Sequence, residues 1–343
     1  MKILITGGAG YIGSHAVLKA CQENFEVVII DNLFRGYKEC IDTLQKLFPN
    51  KITFYNIDIR EKQDLKNILE KERDIKAVMH FAALLSVGES MQIPYLYFQN
   101  NTYGTLNLLE CMNDAGIKNL VFSSTCASYA NIVNENPADL SKYAIDENQL
   151  QKPESVYGES KFLSEKEIIW FGKLFQMNYM ILRYFNVCGS NSDTIIGYST
   201  KPSMALIQNA LRGALGIEPF KFTYSNVPTP DGSPIRDYIN VEDLVDAHFL
   251  ALEKMLNSNV SQIYNLGTGN GSSVKKVVNK VMEVTGKNFD VEKAEARPGE
   301  AIALFANTNK IKTELGWEPK RSLEDSIHSL VKWYTKRPNG WEY

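Results

Sequence analysis

Short apolar runs alternate with helix-like segments through the first half of the chain. The runs have the length and β-branched content of buried strands: Ile3–Ile5, Val27–Ile30, Lys51–Asp58, Asp74–His80, Asn119–Ser124 and Asn178–Arg183. We predict helices between them: Tyr11–Glu23, Lys38–Phe48, one beginning at Glu61, Pro94–Ala115 and Tyr157–Gln176. Strands that alternate with helices form a parallel sheet covered on both faces. The pattern therefore predicts an α/β fold with a doubly wound parallel sheet.

The pattern loosens after Arg183, where Pro, Gly and Asn become more frequent up to Asp237. We predict a smaller α/β lobe here, of the kind that binds a substrate. Later elements are predicted at Val241–Leu252 (helix), Ser261–Gly267 (strand), Val274–Thr285 (helix), Phe289–Glu292 (strand) and Leu323–Tyr334 (helix). The predicted domains are residues 1–183, with 237–267 returning to them, and a lobe of 184–236 and 268–343.

Composition excludes several classes of protein. The 343 residues are 44% apolar and 22% charged with a net charge of −3, and no basic run would attract nucleic acid. No apolar stretch approaches the ~20 residues that cross a membrane, and the first residues have the pattern of a core strand rather than a signal peptide. The five cysteines lack metal-site spacing. We expect reduced thiols, no metal and a cytoplasmic protein.

A glycine motif lies between the first strand and the first helix. Gly8-x-Gly10-x-x-Gly13 has the spacing of the dinucleotide fingerprint, in which the glycines permit a tight turn and close approach of a pyrophosphate. Helix N-terminal N–H groups then face the phosphates. The second strand ends at Asp31, eighteen residues after Gly13, where a carboxylate binds ribose hydroxyls and repels a 2′-phosphate. The motif therefore predicts a Rossmann-type domain that binds NAD rather than NADP.

Two later segments end strands at the same edge of the predicted sheet. Asp58 follows the third strand and is a candidate adenine contact, although a carboxylate capping the next helix is nearly as plausible. Phe81-Ala82-Ala83 follows the fourth strand, and its small residues would let the cofactor backbone lie close.

Hydroxyl groups and a Tyr-x-x-x-Lys motif supply candidate catalytic chemistry. Ser123-Ser124-Thr125 ends the fifth strand, and Tyr157 and Lys161 share one helix face because they are four residues apart. Tyrosine titrates near 10 unperturbed, so it acts as a base only when a cation stabilises its phenolate. Alone, the pair would suggest a core tyrosine beside a solvated lysine. After a dinucleotide fingerprint it favours catalysis, whereas Cys126 is better interpreted as a small buried thiol than as a nucleophile.

Sequence motifs from end to end resemble a known enzyme family. They are T-G-G-A-G-Y-I-G-S-H (Thr6–His15), D-N-L (Asp31–Leu33), H-F-A-A (His80–Ala83), V-G-E-S (Val87–Ser90), N-N (Asn100–Asn101), S-S-T (Ser123–Thr125), Y-G-E-S-K (Tyr157–Lys161), R-Y-F-N-V (Arg183–Val187), T-P-D-G (Thr229–Gly232), R-D-Y-I (Arg236–Ile239), Y-N-L-G-T-G (Tyr264–Gly269), R-P-G (Arg297–Gly299) and L-G-W (Leu315–Trp317). The chain resembles the extended short-chain dehydrogenases/reductases, and within them the UDP-glucose (UDP-galactose) 4-epimerases of galactose metabolism.

The resemblance implies a reaction in which Tyr157, assisted by Thr125, removes the proton of the sugar 4-hydroxyl while the C4 hydride passes to NAD. The 4-keto sugar then rotates about its bonds to the diphosphate, presents its other face and takes the hydride back. Implied NAD contacts are Gly7, Gly10, Tyr11, Ile12, Gly13, Asp31, Asn32, Asp58, Ile59, Phe81, Ala82, Ala83, Asn100, Ser123, Tyr157, Lys161 and Tyr184. Implied substrate contacts are Ser124, Thr125, Tyr157, Phe185, Asn186 near the diphosphate, Tyr224 beside uracil, and Arg236 and Arg297 on the phosphates.

Departures from the family pattern leave the sugar open. Leu85 stands where many members have a lysine that helps to hold NAD, Lys201–Met204 replaces a segment that contacts the nucleotide, and Leu304 occupies a position linked to sugar size. Alternatives are 4-epimerases of UDP-arabinose/UDP-xylose or of UDP-N-acetylhexosamines. A dehydratase is disfavoured because Cys126-Ala127 stands where those relatives have carboxylates. A non-catalytic NAD-sensing protein would have no reason to keep both Tyr157 and Lys161.

The resemblance also implies a homodimer. In the family, the helices that correspond to Pro94–Ala115 and Tyr157–Gln176 form a four-helix interface between subunits. Both segments are apolar on more than one face, although those residues could equally face the sheet.

Overall fold

The computed structural model describes residues 1–132, 139–199, 205–220, 222–288, 291–294 and 301–341. The chain divides into two compact units: unit 1 comprises Met1–Ala130, Leu150–Arg183 and Ala247–Tyr264, and unit 2 comprises Asn131–Gln149, Tyr184–Asp246 and Asn265–Tyr343. None of the helices in the described parts of the chain combines the length and apolar content of a membrane span.

The strands and helices are numbered in chain order. The strands are β1 (Lys2–Thr6), β2 (Glu26–Ile30), β3 (Ile52–Tyr55), β4 (Ile75–His80), β5 (Asn119–Thr125), β6 (Ala144–Ile145), β7 (Asn178–Tyr184), β8 (Asn186–Cys188), β9 (Phe222–Ser225), β10 (Ile235–Arg236), β11 (Tyr238–Asn240), β12 (Gln262–Leu266), β13 (Ser272–Ser273), β14 (Val291–Ala294) and β15 (Ala303–Ala306). The helices are α1 (Tyr11–Gln22), α2 (Lys38–Leu47), α3 (Lys62–Lys71), α4 (Val87–Ser90), α5 (Pro94–Tyr97), α6 (Gly104–Asp114), α7 (Val156–Phe175), α8 (Leu206–Ala214), α9 (Val241–Ser258), α10 (Val274–Thr285), α11 (Asn309–Leu315) and α12 (Leu323–Lys336).

A seven-stranded sheet forms the centre of unit 1, in the order β12-β7-β5-β4-β1-β2-β3. The pairs of β1 with β2 and β4, of β2 with β3 and of β4 with β5 are all parallel. The chain winds outward from β1 to β3 and then crosses back to β4, so the order reverses between β1 and β4. The predicted doubly wound fold is therefore confirmed, and this switch point is where such sheets bind ligands.

The helix predicted over Pro94–Ala115 is wrong as a single element. α5 and α6 are separated by a π-helical segment, Phe98–Tyr103, that holds Asn100 and Asn101. Asn101 is buried there, with its amide bonded to both backbone groups of Leu84: Oδ1 accepts from the N–H at 2.8 Å and Nδ2 donates to the carbonyl at 2.9 Å. A wider turn at this point brings the amide toward the loop after β4, and π-turns are common at functional sites.

Unit 2 begins earlier in the chain than predicted. β6 pairs with β15, which assigns the Asn131–Gln149 segment to this unit rather than to residues 1–183. β11 pairs with β8, so only Ala247–Tyr264 of the predicted 237–267 segment returns to unit 1. β14 begins at Val291, whereas Phe289 and Asp290 of the strand predicted there lie outside the described residues.

Candidate active site

The fingerprint glycines form a tight loop at the end of β1. Gly10 is the N-cap of α1. Gly7 has φ +72°, and a Cβ on it would lie 2.6 Å from the amide nitrogen of Ala82. A Cβ on Gly13 would lie 2.1 Å from the carbonyl oxygen of Gly7. Only glycine satisfies these close contacts with the protein's own backbone, so the loop can turn tightly into α1.

Asp31 connects the end of β2 to this loop. Its Oδ2 accepts from the Ala9 amide at 3.0 Å and its Oδ1 from the Leu33 amide at 2.8 Å. Burial raises the pKa of Asp31, while the two amides oppose that rise. Each oxygen keeps a second lone pair, so the carboxylate can still accept from ribose hydroxyls.

Asp58 is bound by Arg60 and Asn32. Arg60 donates to it from the backbone N–H (2.9 Å), Nε (2.9 Å) and Nη2 (2.7 Å), and Asn32 donates from Nδ2 (2.7 Å). Burial raises the pKa of Asp58, but these bonds outweigh it and lower the value to about 2. α3 is N-capped by Glu61 without a side-chain bond, so the helix-capping alternative is wrong. The adenine contact of Asp58 stays a prediction. The side chain of Ile59 is buried in the core, which leaves only its backbone for a cofactor.

Ser124 does not line the site. Along β5, side chains alternate between the two faces of the sheet, so Ser124 points away from the face shared by Ser123 and Thr125. Its hydroxyl is fully buried and donates to Glu165 Oε1. The prediction that Ser124 contacts substrate is therefore corrected. Thr125 Oγ1 accepts from the Ala127 amide at 3.1 Å and caps the short turn that follows β5.

The first turn of α7 is held against that turn. Ser155 Oγ caps the helix by accepting from the Gly158 amide at 3.1 Å. A Cβ on Gly158 would lie 2.2 Å from the carbonyl oxygen of Ala127, so glycine is required for this approach. The Tyr157 amide donates to Ser90 Oγ at 3.1 Å. The fold thus brings the predicted base, Tyr157, next to the strand end that carries Thr125.

Lys161 lies one turn further along α7 and is 3% exposed. Its Nζ lies 4.1 Å from the centroid of the Phe122 ring. Burial lowers the pKa of Lys161 to about 7, against a smaller opposing effect of the Glu165 carboxylate. Lys161 therefore loses its proton at a lower pH than an exposed lysine does, and a pKa perturbed in this way marks a candidate functional residue.

A buried ion pair between Glu165 and Arg183 connects α7 to β7, and the sequence did not predict it. Arg183 on β7 donates to Glu165 from Nε (2.9 Å) and Nη2 (2.6 Å), and from Nη1 to the hydroxyl of Tyr129 (2.9 Å). Gln151 Nε2 also donates to Glu165 Oε2 at 2.9 Å. The network ties α7 to β7 and to the chain after β5. The sequence shows Glu165 four residues after Lys161 on the same helix. It does not show that Glu165 pairs with Arg183, which lies on a different element.

Several predicted substrate residues lie in unit 2. Asn186 Nδ2 donates to the Asp237 carbonyl at 3.1 Å, and Arg236 Nη1 donates to the carbonyls of Ile235 and Ala301, each at 2.8 Å. Tyr224 is 6% exposed and stacks on Phe222, with centroids 5.6 Å apart. The roles of these residues, of Tyr184 and of Phe185 stay predictions. Arg297 and the Lys201–Met204 segment lie outside the described residues.

Asp237 has a structural role that its place in the R-D-Y-I motif did not predict. Its carboxylate accepts from the Thr268 amide (2.8 Å) and hydroxyl (2.6 Å), from the Gly269 amide (3.2 Å) and from the Ala306 amide (3.1 Å). These four bonds hold the backbone that carries Arg236.

Comparison with known proteins identifies the family. The sequence model of the NAD dependent epimerase/dehydratase family matches residues 3–267. The chain belongs to this family.

Two relatives and one solved structure show how far the likeness to this epimerase/dehydratase family extends. The chain is 40% identical over 344 residues to a UDP-glucose 4-epimerase of Lactobacillus helveticus, covering 100% of this chain and 99% of that one. It is 41% identical over 348 residues to a probable UDP-arabinose 4-epimerase 3 of Oryza sativa subsp. japonica, covering 99% and 83%. It also resembles the crystal structure of a UDP-glucose-4-epimerase from Stenotrophomonas maltophila with bound NAD and formylated UDP-arabinopyranose, with TM-score 0.91 and 32% identity over 98% and 99% of the two chains.

The residues of unit 1 fit the cofactor in the family's name. A Cβ on Gly7 or Gly13 would clash with the protein's own backbone, so both glycines permit the tight turn and close packing that the dinucleotide-binding fold requires. The remaining lone pairs of Asp31 suit ribose hydroxyls, and its charge disfavours a 2′-phosphate. Tyr157 and Lys161 lie one turn apart on α7, and Lys161 is nearly buried.

The buried Glu165–Arg183 pair should carry much of the stability of this epimerase/dehydratase fold. Glu165→Gln keeps the shape of the side chain but leaves the Arg183 guanidinium buried and unpaired, which typically costs about 3–5 kcal/mol. We expect that loss in the free energy of unfolding, measured by urea denaturation. Glu110→Gln, which breaks the exposed pair of Glu110 with Lys62, is the matched control and should show no comparable loss. Equal effects of the two substitutions would contradict the prediction.

Proposed function

We propose that this protein is a 4-epimerase of a UDP-sugar that interconverts UDP-glucose and UDP-galactose. One observation carries the proposal: the first turn of α7 packs closely against the turn that follows β5. Tyr157 belongs to that helical turn, and Thr125 ends β5. Lys161 on the same helix face supplies a buried positive charge. The likeness to UDP-glucose 4-epimerases over the full chain supports the same reaction.

Tyr157 takes the proton of the sugar 4-hydroxyl as the C4–H bond breaks. NAD, when bound, supplies a hydride acceptor that is regenerated in each turnover. The Lys161 ammonium stabilises the phenolate of Tyr157, and the Thr125 hydroxyl orients the sugar oxygen. After the 4-keto sugar has rotated to present its other face, C4 takes the hydride back and Tyr157 returns the proton to the C4 oxygen, so the configuration at C4 is inverted without net oxidation.

Unit 2 supplies the residues proposed to hold the nucleotide. Arg236 carries a guanidinium suited to a diphosphate, and Asp237 holds its backbone by four hydrogen bonds. Asn186 and Arg297 are proposed as further diphosphate contacts, and Tyr224 as the residue beside uracil.

A UDP-pentose is the second candidate substrate. The 41% identity to the probable rice UDP-arabinose 4-epimerase is similar to the 40% identity to the Lactobacillus helveticus UDP-glucose 4-epimerase. Leu304, at the position linked to sugar size, pairs with Arg236 in the register of β15 and β10. Leu304 is therefore a direct neighbour of Arg236, the residue proposed to bind the phosphates.

One incubation series tests both candidates. The purified protein is incubated with UDP-glucose, UDP-galactose, UDP-xylose, UDP-arabinose and UDP-N-acetylglucosamine, and the products are resolved by anion-exchange chromatography. We expect C4 epimers with no added NAD, and release of NAD when the protein is denatured. Turnover of the pentoses alone would favour the second candidate. Bound NAD without turnover of any sugar would contradict both and favour an NAD-sensing protein.

We also propose a homodimer in the cytoplasm. Large apolar side chains stand exposed on α5, on the π-helical segment and on α7: Tyr95, Tyr103, Trp170 and Leu174. α5, the π-helical segment and α6 all pack against α7, so these side chains belong to one helical layer of unit 1. Trp170→Glu should shift the protein from dimer to monomer in sedimentation velocity. An unchanged sedimentation coefficient would contradict this interface.

A further inference from the structure

Lys161 rests on an aromatic ring rather than beside a free carboxylate. Its Nζ is 4.1 Å from the centroid of Phe122, inside the range of a cation–π contact. Phe122 on β5 is fully buried and Lys161 nearly so. A desolvated ammonium over a ring face is the geometry in which this attraction is strongest.

The titratable groups around Lys161 do not replace the ring. Glu165, one turn along α7, is bound to Arg183 and also accepts from Ser124 and Gln151, so its charge is shared. His80 on β4 lies next to Phe122, with ring centroids 5.6 Å apart. Burial, and to a smaller extent the Lys161 charge, lower the pKa of His80 to about 3, so its imidazole is neutral at physiological pH.

Hydrogen bonds to both ring nitrogens hold the neutral imidazole of His80 beside Phe122. Thr105 Oγ1 donates to the Asn101 carbonyl, so it accepts from His80 Nε2 at 3.0 Å, and Nδ1 accepts from Thr6 Oγ1 at 2.6 Å. Both ring nitrogens are occupied. His80 therefore supports the Phe122 ring from the neighbouring strand without offering an acceptor to the ammonium.

We propose that Phe122 is a positioning residue whose ring face holds the Lys161 ammonium in place for Tyr157. The proposal rests on the proposed function, because it assigns Phe122 a part in the same base. Without the ring, burial of the ammonium has no compensating contact on that side. The lysine then becomes neutral more readily, and the phenolate of Tyr157 loses its counter-charge.

The effect on protonation is measurable because Lys161 titrates close to neutrality. Removal of the ring should lower the pKa of Lys161 by about one pH unit, from about 7. At pH 7 the protonated fraction then falls from roughly a half to roughly a tenth, which is about fivefold. Tyr157 itself is untouched by the substitution.

The test compares three substitutions at Phe122 with one elsewhere. Phe122→Leu removes the ring, Phe122→Met removes it with an adaptable side chain that fills the space, and Phe122→Tyr keeps a ring face. Phe249→Leu is the matched control, since Phe249 is also a buried ring of unit 1 and packs on Phe25 and Lys19. The pKa of Lys161 is read directly by trace acetylation with acetic anhydride across a pH series, with peptide mass spectrometry. The pH profile of sugar turnover is the second readout.

We expect Phe122→Leu and Phe122→Met to lower the labelling pKa of Lys161 and to move the alkaline limb of turnover to lower pH, with little change in KM. Phe122→Tyr should restore both, and Phe249→Leu should move neither. An unchanged labelling pKa in Phe122→Met, or an equal change in Phe249→Leu, would overturn the proposal. Wild-type protein that turns over no UDP-sugar would refute the proposed function, whereas the labelling result would still decide whether the ring holds the ammonium.

Discussion

Tyr157→Phe is expected to abolish interconversion of UDP-glucose and UDP-galactose while NAD remains bound. Phenylalanine keeps the ring in the first turn of α7 but has no oxygen to take the 4-hydroxyl proton. Loss of a positioned general base costs about 10²–10⁴ in rate. We expect kcat to fall by about a thousandfold or more, measured by separating the two UDP-hexoses after timed incubation.

The control for Tyr157→Phe removes a tyrosine hydroxyl from a strand of the central sheet. Tyr55 ends β3, and its hydroxyl donates to Glu72 at 2.8 Å. Tyr55→Phe should keep wild-type turnover. NAD content, measured after denaturation, should be equal in both variants. Turnover of Tyr157→Phe at the wild-type rate would refute the base, and loss of NAD from it would show that Tyr157 is needed for cofactor binding instead.

The central sheet was predictable because its signals are local. Buried parallel strands form continuous apolar runs, and each of the first four strands here is followed by a helix. The glycine contacts were also predictable, since the fingerprint spacing already implies a backbone that nothing larger than glycine allows. The π-helical segment was not, because it accompanies a contact between residues that are distant in the sequence. In this contact the side chain of Asn101 bonds to the backbone of Leu84.

The error at Ser124 has a simple physical source. Three hydroxyl residues in a row suggest one cluster, but a strand turns every second side chain to the opposite face. The period-two rule would have separated Ser124 from Ser123 and Thr125. For Glu165, helix spacing alone suggests a different partner from the one observed. Four residues after Lys161 on a helix, it suggests a pair with that lysine, yet its bonds go to Arg183 on β7.

The boundary of unit 2 depends on pairings between distant parts of the chain. β6 has only two residues, Ala144 and Ile145, and it is a strand because it pairs with Phe305 and Ala306 of β15. Nothing in so short a stretch signals a strand by itself. The same is true of β8 and β11, whose pairing keeps Tyr238–Asn240 in unit 2. Such contacts can be assigned only after the fold is known.

Lys161→Met is expected to lower kcat by about a hundredfold, a size typical of removing one electrostatic group from an active site. Methionine fills the buried space over Phe122 but has no charge for the Tyr157 phenolate. Burial lowers the pKa of Lys161 to about 7. A lysine carries its charge below its pKa and loses it as the pH rises through that value. Wild-type turnover should therefore decline on the alkaline side at a pH well below that of an exposed lysine, and Lys161→Met should lack that decline.

Lys166→Met supplies the matched control for this pH profile. Lys166 lies on the same helix, is exposed, and its Nζ lies 4.7 Å from the ring of Phe162. The same substitution there changes the net charge equally but leaves the buried ammonium in place. Its kcat and its alkaline limb should match the wild type. If Lys161→Met kept the limb, the titrating group would be another residue and the ammonium would have no part in setting the base. If Lys166→Met lost the alkaline limb, the pH profile of turnover would reflect the overall charge of the protein rather than the titration of Lys161.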